Sequence, residues 1–279
     1  MDRDRQRVAK RAVVVRRVQL TPDMVRLVFT GDDVRGLGEL TFTDHYIKIL
    51  YPPAGADYGW PFDPAEIRET RPSELWPVTR TYTIRSYHPQ TAEMAVDFVL
   101  HGDEGLAGPW AAAAQPGDEI GFLGPGGSYA PGATADVHLL VGDEAAIPAI
   151  AAALDRLPAS AAAEVYLEVT GAEHHQPMPA TARTRITWVH RSGRPYGAAL
   201  AEAVRAAPFP SGNVQVFVHG NADMVRDLRR YLFVERRLER SQVSISGYWR
   251  TGHTEDRWQS GKRDFAAQME SEEAAALAG

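Results

Sequence analysis

The sequence predicts a protein of two domains, an antiparallel β-barrel followed by an α/β domain with a parallel sheet of half-Rossmann type. Its 279 residues are enough for about two hydrophobic cores. The first half has short runs of β-branched and aromatic residues between turn residues, whereas the second half alternates apolar runs with helical patterns. We therefore predict domains at 1–132 and 133–250, with a partly helical tail at 251–279.

The barrel strands are predicted first. Short runs rich in β-branched and aromatic residues predict strands at 12–20, 24–31, 45–51, 80–87 and 94–102, and a further strand lies within 116–129. The basic stretch 3–17 runs directly into the first strand and is expected to be a solvated lead-in. Residues 52–77 contain six prolines and two tryptophans, which predicts an irregular surface excursion near a ligand. Residues 102–115 are rich in alanine and predict a helix.

The second half predicts alternating strands and helices. Strands are expected at 138–142, 164–171, 185–191, 214–220 and 243–249, and helices at 147–157, 196–207 and from 222 onward. In the last of these helices Val225, Leu228 and Leu232 fall on one face. Strands that alternate with helices form a parallel sheet, and its ligands bind beyond the carboxyl ends of the strands.

Composition narrows the possible functions. The chain has 30 basic and 36 acidic residues, a net charge of −6, so it lacks the basic field that binds a phosphate backbone, and nucleic acid is not an expected partner. It has no cysteine, which excludes disulfides and thiolate-bound metal clusters. No apolar run reaches the roughly 18 residues of a membrane span, and the N-terminus lacks a signal-peptide core. We expect a cytoplasmic protein.

One strand carries an unusual set of side chains. In RTYTIR, Arg80 to Arg85, side chains alternate between the two faces of the strand. An aromatic ring can cover the face of a flavin, a threonine can hydrogen-bond its reactive nitrogen, and an arginine can neutralise a pyrophosphate. The hexapeptide alone fits an ordinary packed barrel strand equally well.

Five segments in order make the signal specific. They are RTYTIR (80–85), DFVLHGDEGLAGPWA (97–111), GFLGPGG (121–127), VGDEAAIPAI (141–150) and SGYWRTG (246–252). Together they resemble the siderophore-interacting protein family, whose members are FAD-containing ferric-siderophore reductases. The resemblance extends from about residue 11 to 252 and implies a ferredoxin reductase-like fold, with an FAD-binding barrel and an NAD(P)H-binding-like second domain.

The resemblance implies several contacts with FAD. Tyr82 is expected against the isoalloxazine and Thr83 near its reactive nitrogen, and these flavin contacts are the only catalytic contribution expected of the protein. The loop that opens the helix offers backbone N–H groups to the pyrophosphate, and a C-terminal aromatic element closes over the flavin. The cofactor residues implied are Arg80, Thr81, Tyr82, Thr83, Asp97, Phe98, Val99, Leu100, His101, Ala107, Gly108, Pro109, Trp110, Gly247, Tyr248 and Trp249.

The electron donor is less well defined than the flavin. The resemblance places Asp143, Glu144, Ala145 and Asn221 in the nicotinamide domain. The family commonly has threonine at position 145 and glutamate at 221, and no G-x-G-x-x-G is present. Elsewhere in this domain, Glu168 favours NADH and Arg191 favours NADPH. NADH, NADPH and ferredoxin therefore all stay open as donors.

The implied substrate is a ferric siderophore. Such chelates are often anionic, so basic side chains near the flavin would attract them. The candidates are Lys48, Arg85, Arg250 and Lys262, each of which is also typical of a solvated surface. No metal site is predicted, because His174 and His175 are adjacent, lack spaced carboxylates and are expected to be solvated. A monomer is the simpler expectation.

These observations favour flavin-dependent reduction of a ferric siderophore, which releases ferrous iron in the cytosol. A nicotinamide delivers two electrons as hydride whereas ferric iron accepts one, and a flavin can do both. Two alternatives stay open. One is a general NAD(P)H:flavin or ferredoxin-type oxidoreductase, which would turn over generic acceptors equally well. The other is a non-catalytic siderophore- or flavin-binding protein, which would not reoxidise a reduced flavin with the chelate.

Overall fold

The computed structural model describes residues 8–100 and 105–278 and divides the chain into two units, Met1–Ala130 and Pro131–Gly279. Residues 3–7 of the predicted lead-in and residues 101–104 lie outside the described part. The first unit contains the β-barrel and the second contains the parallel sheet. The predicted fold class is therefore confirmed.

Six antiparallel strands close the barrel in the order β1-β2-β5-β4-β3-β6. They are β1 (Lys10–Thr21), β2 (Met24–Thr30), β3 (Tyr46–Tyr51), β4 (Val78–His88), β5 (Glu93–Val99) and β6 (Glu119–Gly126). Alternate residues of the strands point inward, as the period of two requires. Leu27, Phe29, Phe98 and Phe122 are fully buried in its core.

Three short helices connect the strands: α1 (Asp32–Arg35), α2 (Pro64–Thr70) and α3 (Ala107–Ala113). The expectation that residues 52–77 lack a regular element is wrong, since they contain α2 and a 3₁₀ turn at Ser73–Leu75. Asp63 caps α2 by accepting a hydrogen bond from the Ala65 amide at 2.8 Å, and Pro64 occupies the first helical position. This Asp-Pro pair is itself a helix-start signal within the proline-rich run.

The second unit is built on a five-stranded parallel sheet of order β11-β10-β7-β8-β9. Its strands are β7 (Val137–Gly142), β8 (Ala162–Val169), β9 (Thr184–His190), β10 (Val214–Asn221) and β11 (Val243–Trp249). Its helices are α4 (Ile147–Arg156), α5 (Ala198–Ala206), α6 (Ala222–Arg230) and α7 (Glu255–Ala278). Val225, Leu228 and Leu232 are buried together, as their spacing predicts.

The tail forms the long helix α7. Trp258, Phe265 and Met269 are buried in a cluster with Ala222 at the start of α6. Glu273 of α7 also binds Arg229 of α6, and both side chains are buried. In the described part of the chain, no helix combines the length and the apolar character needed to cross a membrane.

Candidate functional site

The RTYTIR segment lies on β4, with β3 and β5 on either side. Arg80, Thr81, Tyr82 and Arg85 are half-buried, whereas Thr83 is buried. The ring of Tyr82 packs against the fully buried Phe98, with 4.3 Å between ring centroids. The strand thus presents a guanidinium, a hydroxyl and an aromatic ring at successive positions, and the ring is supported from the barrel core.

The side chains of the next predicted segment mainly build the barrel. Asp97 accepts two hydrogen bonds from Arg26, at 2.6 Å from Nε and 2.8 Å from Nη2, and its side chain is buried. Phe98 is part of the core, whereas Val99 and Leu100 at the strand end are half-buried. Any ligand contact from 97–98 would therefore involve the backbone. The predicted contact His101 lies outside the described residues.

Helix α3 begins at the predicted pyrophosphate loop. Among the described residues, the N-cap position Leu106 makes no side-chain cap hydrogen bond, and Gly108 and Pro109 are half-buried. Ala107 is buried and belongs to the barrel core. The ring of Trp110 packs beside three barrel aromatics, Phe29, Tyr51 and Phe98, with centroid separations of 6.1 to 6.5 Å. The structure thus gives Trp110 a packing role and leaves the helix start to the backbone.

The glycines after β6 make room for neighbouring side chains. A Cβ on Gly126 would lie 2.6 Å from Cζ of Tyr46, and one on Gly127 would lie 2.8 Å from Nδ1 of His45. At Gly126 the neighbour is the far end of the exposed Tyr46 side chain, which could shift to make room, whereas at Gly127 the backbone of His45 also lies close, with its Cα at 3.2 Å. Gly127 is therefore the position where close packing favours glycine.

In the second unit, the carboxyl end of β7 leads to a buried carboxylate. Asp143 is 0% exposed and accepts hydrogen bonds from Nε1 of Trp249 at 2.8 Å, the Asn221 amide at 2.7 Å and the Ala145 amide at 3.0 Å. Burial, together with the neighbouring charge of Glu144, raises the pKa of Asp143 to about 7. Asp143 thereby joins the ends of β7, β10 and β11.

The adjacent strand ends meet at Arg191. Its Nε donates to Glu168 Oε1 at 3.2 Å, its Nη1 to Thr170 Oγ1 at 3.1 Å and its Nη2 to Glu144. The ring of Tyr196 covers the guanidinium at 3.9 Å. Sequence reasoning treats Glu168 and Arg191 as opposing nucleotide signals and does not identify Thr170 or Tyr196. The available signal is that Glu144, Thr170 and Arg191 each follow a strand end.

Asn221 begins α6. Its side-chain oxygen accepts hydrogen bonds from the amides of Asp223 at 2.9 Å and Met224 at 3.4 Å, and its Nδ2 donates to Thr251 Oγ1 at 3.0 Å. The residue is fully buried. Asparagine is among the best N-cap residues, which explains its presence here.

The C-terminal aromatic element lies at the end of β11. A Cβ on Gly247 would lie 2.8 Å from Cζ2 of Trp258, so glycine allows α7 to pack closely. Tyr248 contacts the buried ring of His219, with 4.9 Å between centroids. Trp249 packs edge-on against Tyr196 at 4.7 Å. Trp249 is thus positioned by this ring and by its hydrogen bond to Asp143.

The four basic candidates divide between the units. Lys48 is exposed on β3 and Arg85 is half-buried on β4. In the second unit, Arg250 pairs with Asp223 at 3.3 Å, and Lys262 is half-buried on α7.

Burial and, secondarily, the charge of Lys262 lower the pKa of His219 to about 3. His219 is therefore neutral near pH 7.

The adjacent histidines differ from expectation. The side chain of His174 is only 10% exposed, so the expectation of a solvated His174 is wrong. His175 is exposed but stacks on Trp188 at 4.5 Å, and its Nε2 lies 2.9 Å from Nε2 of His190. Among the described residues, no group of three or more metal-ligating side chains is found.

Comparison with known families matches both units. The Siderophore-interacting FAD-binding domain matches residues 13–129, and the family described as Siderophore-interacting protein matches residues 135–252. Ferric vibriobactin reductase ViuB of Vibrio cholerae is 33% identical over 248 residues, which cover 87% of this chain and 89% of that protein. An uncharacterised protein of Mycobacterium tuberculosis is 41% identical over 266 residues, covering 91% of this chain and 94% of the relative.

Solved structures agree with these matches. A siderophore utilization protein from T. fusca has a TM-score of 0.76 at 33% identity and covers 88% of this chain and 94% of its own. The siderophore-interacting protein SipS from Aeromonas hydrophila has a TM-score of 0.79 at 28% identity, covering 94% and 99%. Ferredoxin-NADP+ reductase from Plasmodium falciparum, at 13% identity and a TM-score of 0.65, covers 86% and 96% and shares the fold.

Proposed function

This chain belongs to the siderophore-interacting protein family, and we propose that it is an FAD-dependent reductase that converts siderophore-bound ferric iron to ferrous iron in the cytosol. Relatives named ferric vibriobactin reductase and ferric acinetobactin reductase, at 33% and 28% identity, support this assignment. The observation that carries it is the row of half-buried Arg80, Thr81 and Tyr82 on β4, in a unit that matches an FAD-binding domain.

Side chains of the first unit support a proposed FAD site. Tyr82 has an aromatic face supported by Phe98, Arg80 has a guanidinium for the pyrophosphate, and the N-cap residue of α3, Leu106, makes no side-chain cap hydrogen bond in the described part of the chain. Thr83 lies beside Tyr82 on the strand and has a hydroxyl for the ring nitrogen. We assign the cofactor to these residues, with backbone contacts from 97–100 and 107–109, and, on the family resemblance alone, we also propose Gly247, Tyr248 and Trp249 as cofactor residues.

A bound flavin accepts an electron pair as hydride and passes electrons on singly, which links a two-electron donor to ferric iron. In this proposal Tyr82 excludes water from the ring face, Arg80 neutralises the pyrophosphate and Thr83 donates or accepts a hydrogen bond at the reactive nitrogen. The protein does not ligate the iron, which stays chelated until it is reduced. Ferrous iron binds hard oxygen ligands less well than ferric iron, so reduction loosens the chelate.

Basic side chains would guide the anionic substrate. We assign this role to Lys48 and Arg85 in the first unit and to Arg250 and Lys262 in the second. Their charges act over about a Debye length, roughly 8 Å at physiological salt, and affect the rate of encounter more than the affinity. The expected readout is a dependence of the second-order rate on ionic strength.

The electron donor is assigned to the second unit. The carboxyl edge of its parallel sheet is where α/β sheets bind ligands. Of the predicted donor residues, Glu144 and Ala145 lie at this edge, and the fully buried Asp143 and Asn221 hold its strand ends together. We propose that a nicotinamide nucleotide binds there and that the protein acts as a monomer. Ferredoxin is the donor to consider if neither nicotinamide reduces the flavin.

An anaerobic absorbance titration tests the proposed function. NADH or NADPH is added to the purified protein, followed by a ferric siderophore and a ferrous trap. We expect the flavin to be bleached by a nicotinamide and reoxidised by the chelate as ferrous iron appears. A protein purified without flavin, or a reduced flavin that the chelate fails to reoxidise, would contradict the proposal.

A further inference from the structure

The sheet edge of the second unit contains a cation that is already bound by carboxylates. Arg191, Glu144 and Glu168 form what we call the Arg191 cluster, at the ends of β7, β8 and β9. These residues are 8%, 6% and 0% exposed. A buried guanidinium between two carboxylates at a ligand-binding edge affects which anions that edge can accept.

Most of the hydrogen-bonding capacity of Arg191 is used within the protein. A guanidinium has five N–H donors on three nitrogens, and each nitrogen of Arg191 donates to a different residue, Glu168, Thr170 or Glu144. The ring of Tyr196 covers one face. To bind a phosphate, Arg191 would have to leave its partners, and the two buried carboxylates would lose their counter-charge, which is costly in a low-dielectric site.

Glu168 fixes the cluster in place. Besides Arg191, it accepts hydrogen bonds from the amides of Gly197 at 2.8 Å and Leu200 at 3.2 Å, at the start of α5. Its position matters, because Glu168 lies at the end of the second strand of the unit, next to β7 in the sheet. In dinucleotide-binding sheets, an acidic residue about 20 residues beyond the first strand marks the 2′ position of the adenosine ribose.

We propose that the Arg191 cluster makes the second unit prefer a nicotinamide nucleotide without a 2′-phosphate, so that NADH is favoured over NADPH as the donor. The inference rests on the proposed function, whose donor it names. A 2′-phosphate brought to Arg191 would have to compete with both carboxylates for the guanidinium. The arginine that would otherwise bind that phosphate is held by the same carboxylates. The preference for NADH thus arises because Arg191 is not available to the 2′-phosphate of NADPH.

Direct binding tests this selection without turnover. Calorimetry on the full-length flavoprotein compares adenosine 5′-monophosphate with its 2′-phosphorylated form, and stopped-flow absorbance compares flavin reduction by NADH and NADPH. We expect the 2′-phosphate to weaken binding by about tenfold or more, the scale of one unfavourable charged contact, and NADH to reduce the flavin faster by a similar factor. Equal or tighter binding of the 2′-phosphorylated form, or binding of neither nucleotide, would overturn the inference.

A charge-neutral substitution assigns the effect to the cluster. Glu144→Gln leaves Arg191 bound to Glu168 but removes one carboxylate, and we expect it to raise the relative affinity for the 2′-phosphorylated nucleotide about tenfold. Glu164→Gln is the matched control: it makes the same change near the opposite end of β8, where Glu164 pairs with Arg185 at 2.7 Å. An equal response of both variants would attribute the selectivity to net charge and contradict the proposal.

Two further measurements keep the outcomes distinct. If Glu144→Gln fails to fold, Thr170→Val at an exposed position removes a single partner of Arg191 without a charge change, and we expect a smaller shift in the same direction. An unchanged nucleotide preference in that variant would then count against the cluster. Reoxidation of dithionite-reduced flavin by a ferric siderophore needs no nucleotide, so its failure contradicts the proposed function, whereas the nucleotide comparison tests only which donor the second unit binds.

Discussion

The barrel strand β4 and the carboxyl edge of the parallel sheet both contain predicted ligand residues, but these residues differ in how far their side chains are buried. On β4, Arg80 and Tyr82 are half-buried and keep part of their surface exposed. At the sheet edge, Asp143 and Asn221 are fully buried and hydrogen-bond within the protein. Residue type and position therefore indicate a ligand site only where the side chain keeps exposed surface that a ligand can contact.

The same distinction appears within the barrel. Asp97 is predicted to line the cofactor, but its carboxylate is bound by Arg26 on the neighbouring strand, directly opposite in register. Asp97 therefore resembles the sheet-edge residues more than its neighbours on β4. Removing one member of a buried, internally paired set of charges destabilises the fold. Removing a half-buried residue beside a site instead affects ligand binding.

The largest expected effect is on stability at the sheet edge. Glu168→Ala leaves Arg191 without one carboxylate and the α5 amides without their acceptor, so we expect the free energy of unfolding to fall by about 3–5 kcal/mol. Urea denaturation followed by circular dichroism measures it. Arg80→Ala on the barrel serves as the comparison and should cost about 1 kcal/mol or less, the usual range for surface substitutions. Similar losses in both would erase the distinction.

The second effect is on flavin content. Tyr82→Ala removes the ring that is expected to cover the flavin, and we expect the purified protein to keep less than about one tenth of its FAD, as loss of a stacked aromatic contact of a few kcal/mol implies. The absorbance ratio of flavin to protein measures this. Tyr82→Phe keeps the ring and should retain FAD. A folded Tyr82→Ala protein with full flavin content would remove Tyr82 from the site.

The sequence predicts the fold well because the strand and helix periods are strong signals. The run of β-branched and aromatic residues in β2 and the apolar run in β7 both become buried strands. Helix α2 is missed because six prolines obscure the single Asp63-Pro64 start signal. Each of these elements is predicted from its own short segment, so the missed helix α2 does not affect the prediction of the other elements.

The candidate site is harder to predict because its contacts join distant segments. That Asp97 faces Arg26 depends on the register between β2 and β5, and that Arg191 meets Glu144 depends on the order of β7, β8 and β9. Neither register nor strand order can be read from a local period. The sequence identifies RTYTIR by residue type, but the internal pairing at the sheet edge becomes visible only in the structure.

The third effect concerns the pH dependence of stability, to which two buried groups of the second unit contribute in opposite directions. The pKa of Asp143 is raised from 3.8 to about 7, so its contribution to stability is lost as pH rises toward 7. The pKa of His219 is lowered from 6.5 to about 3, so its contribution is lost as pH falls below 6.5. Between pH 3.8 and 6.5, the ordinary pKa values of the two groups, a rise in pH weakens the contribution of Asp143 and strengthens that of His219, so the two changes partly cancel in the wild-type protein.

Single substitutions separate the two contributions. Urea unfolding at about pH 5 and about pH 8 gives the change in unfolding free energy between these conditions. We expect Asp143→Asn to make the protein gain more stability on going to the higher pH, and His219→Phe, which keeps an aromatic ring beside Phe217, to make it gain less. Shifts of the same sign in both variants would show that other groups control the pH dependence.

The smallest effect tests whether Asn221 serves folding or donor binding. Asn221→Ala removes the N-cap of α6 and should lower the unfolding free energy by about 1 kcal/mol, while Asn221→Asp keeps an acceptor for the Asp223 amide and should preserve more of the cap. Because the side chain is fully buried, we expect both variants to leave the rate of flavin reduction by NADH within about twofold of wild type, a difference below 1 kcal/mol. A large loss of that rate in a stable Asn221→Asp protein would move Asn221 from the scaffold to the donor site, and it would make the sheet edge resemble the barrel strand after all.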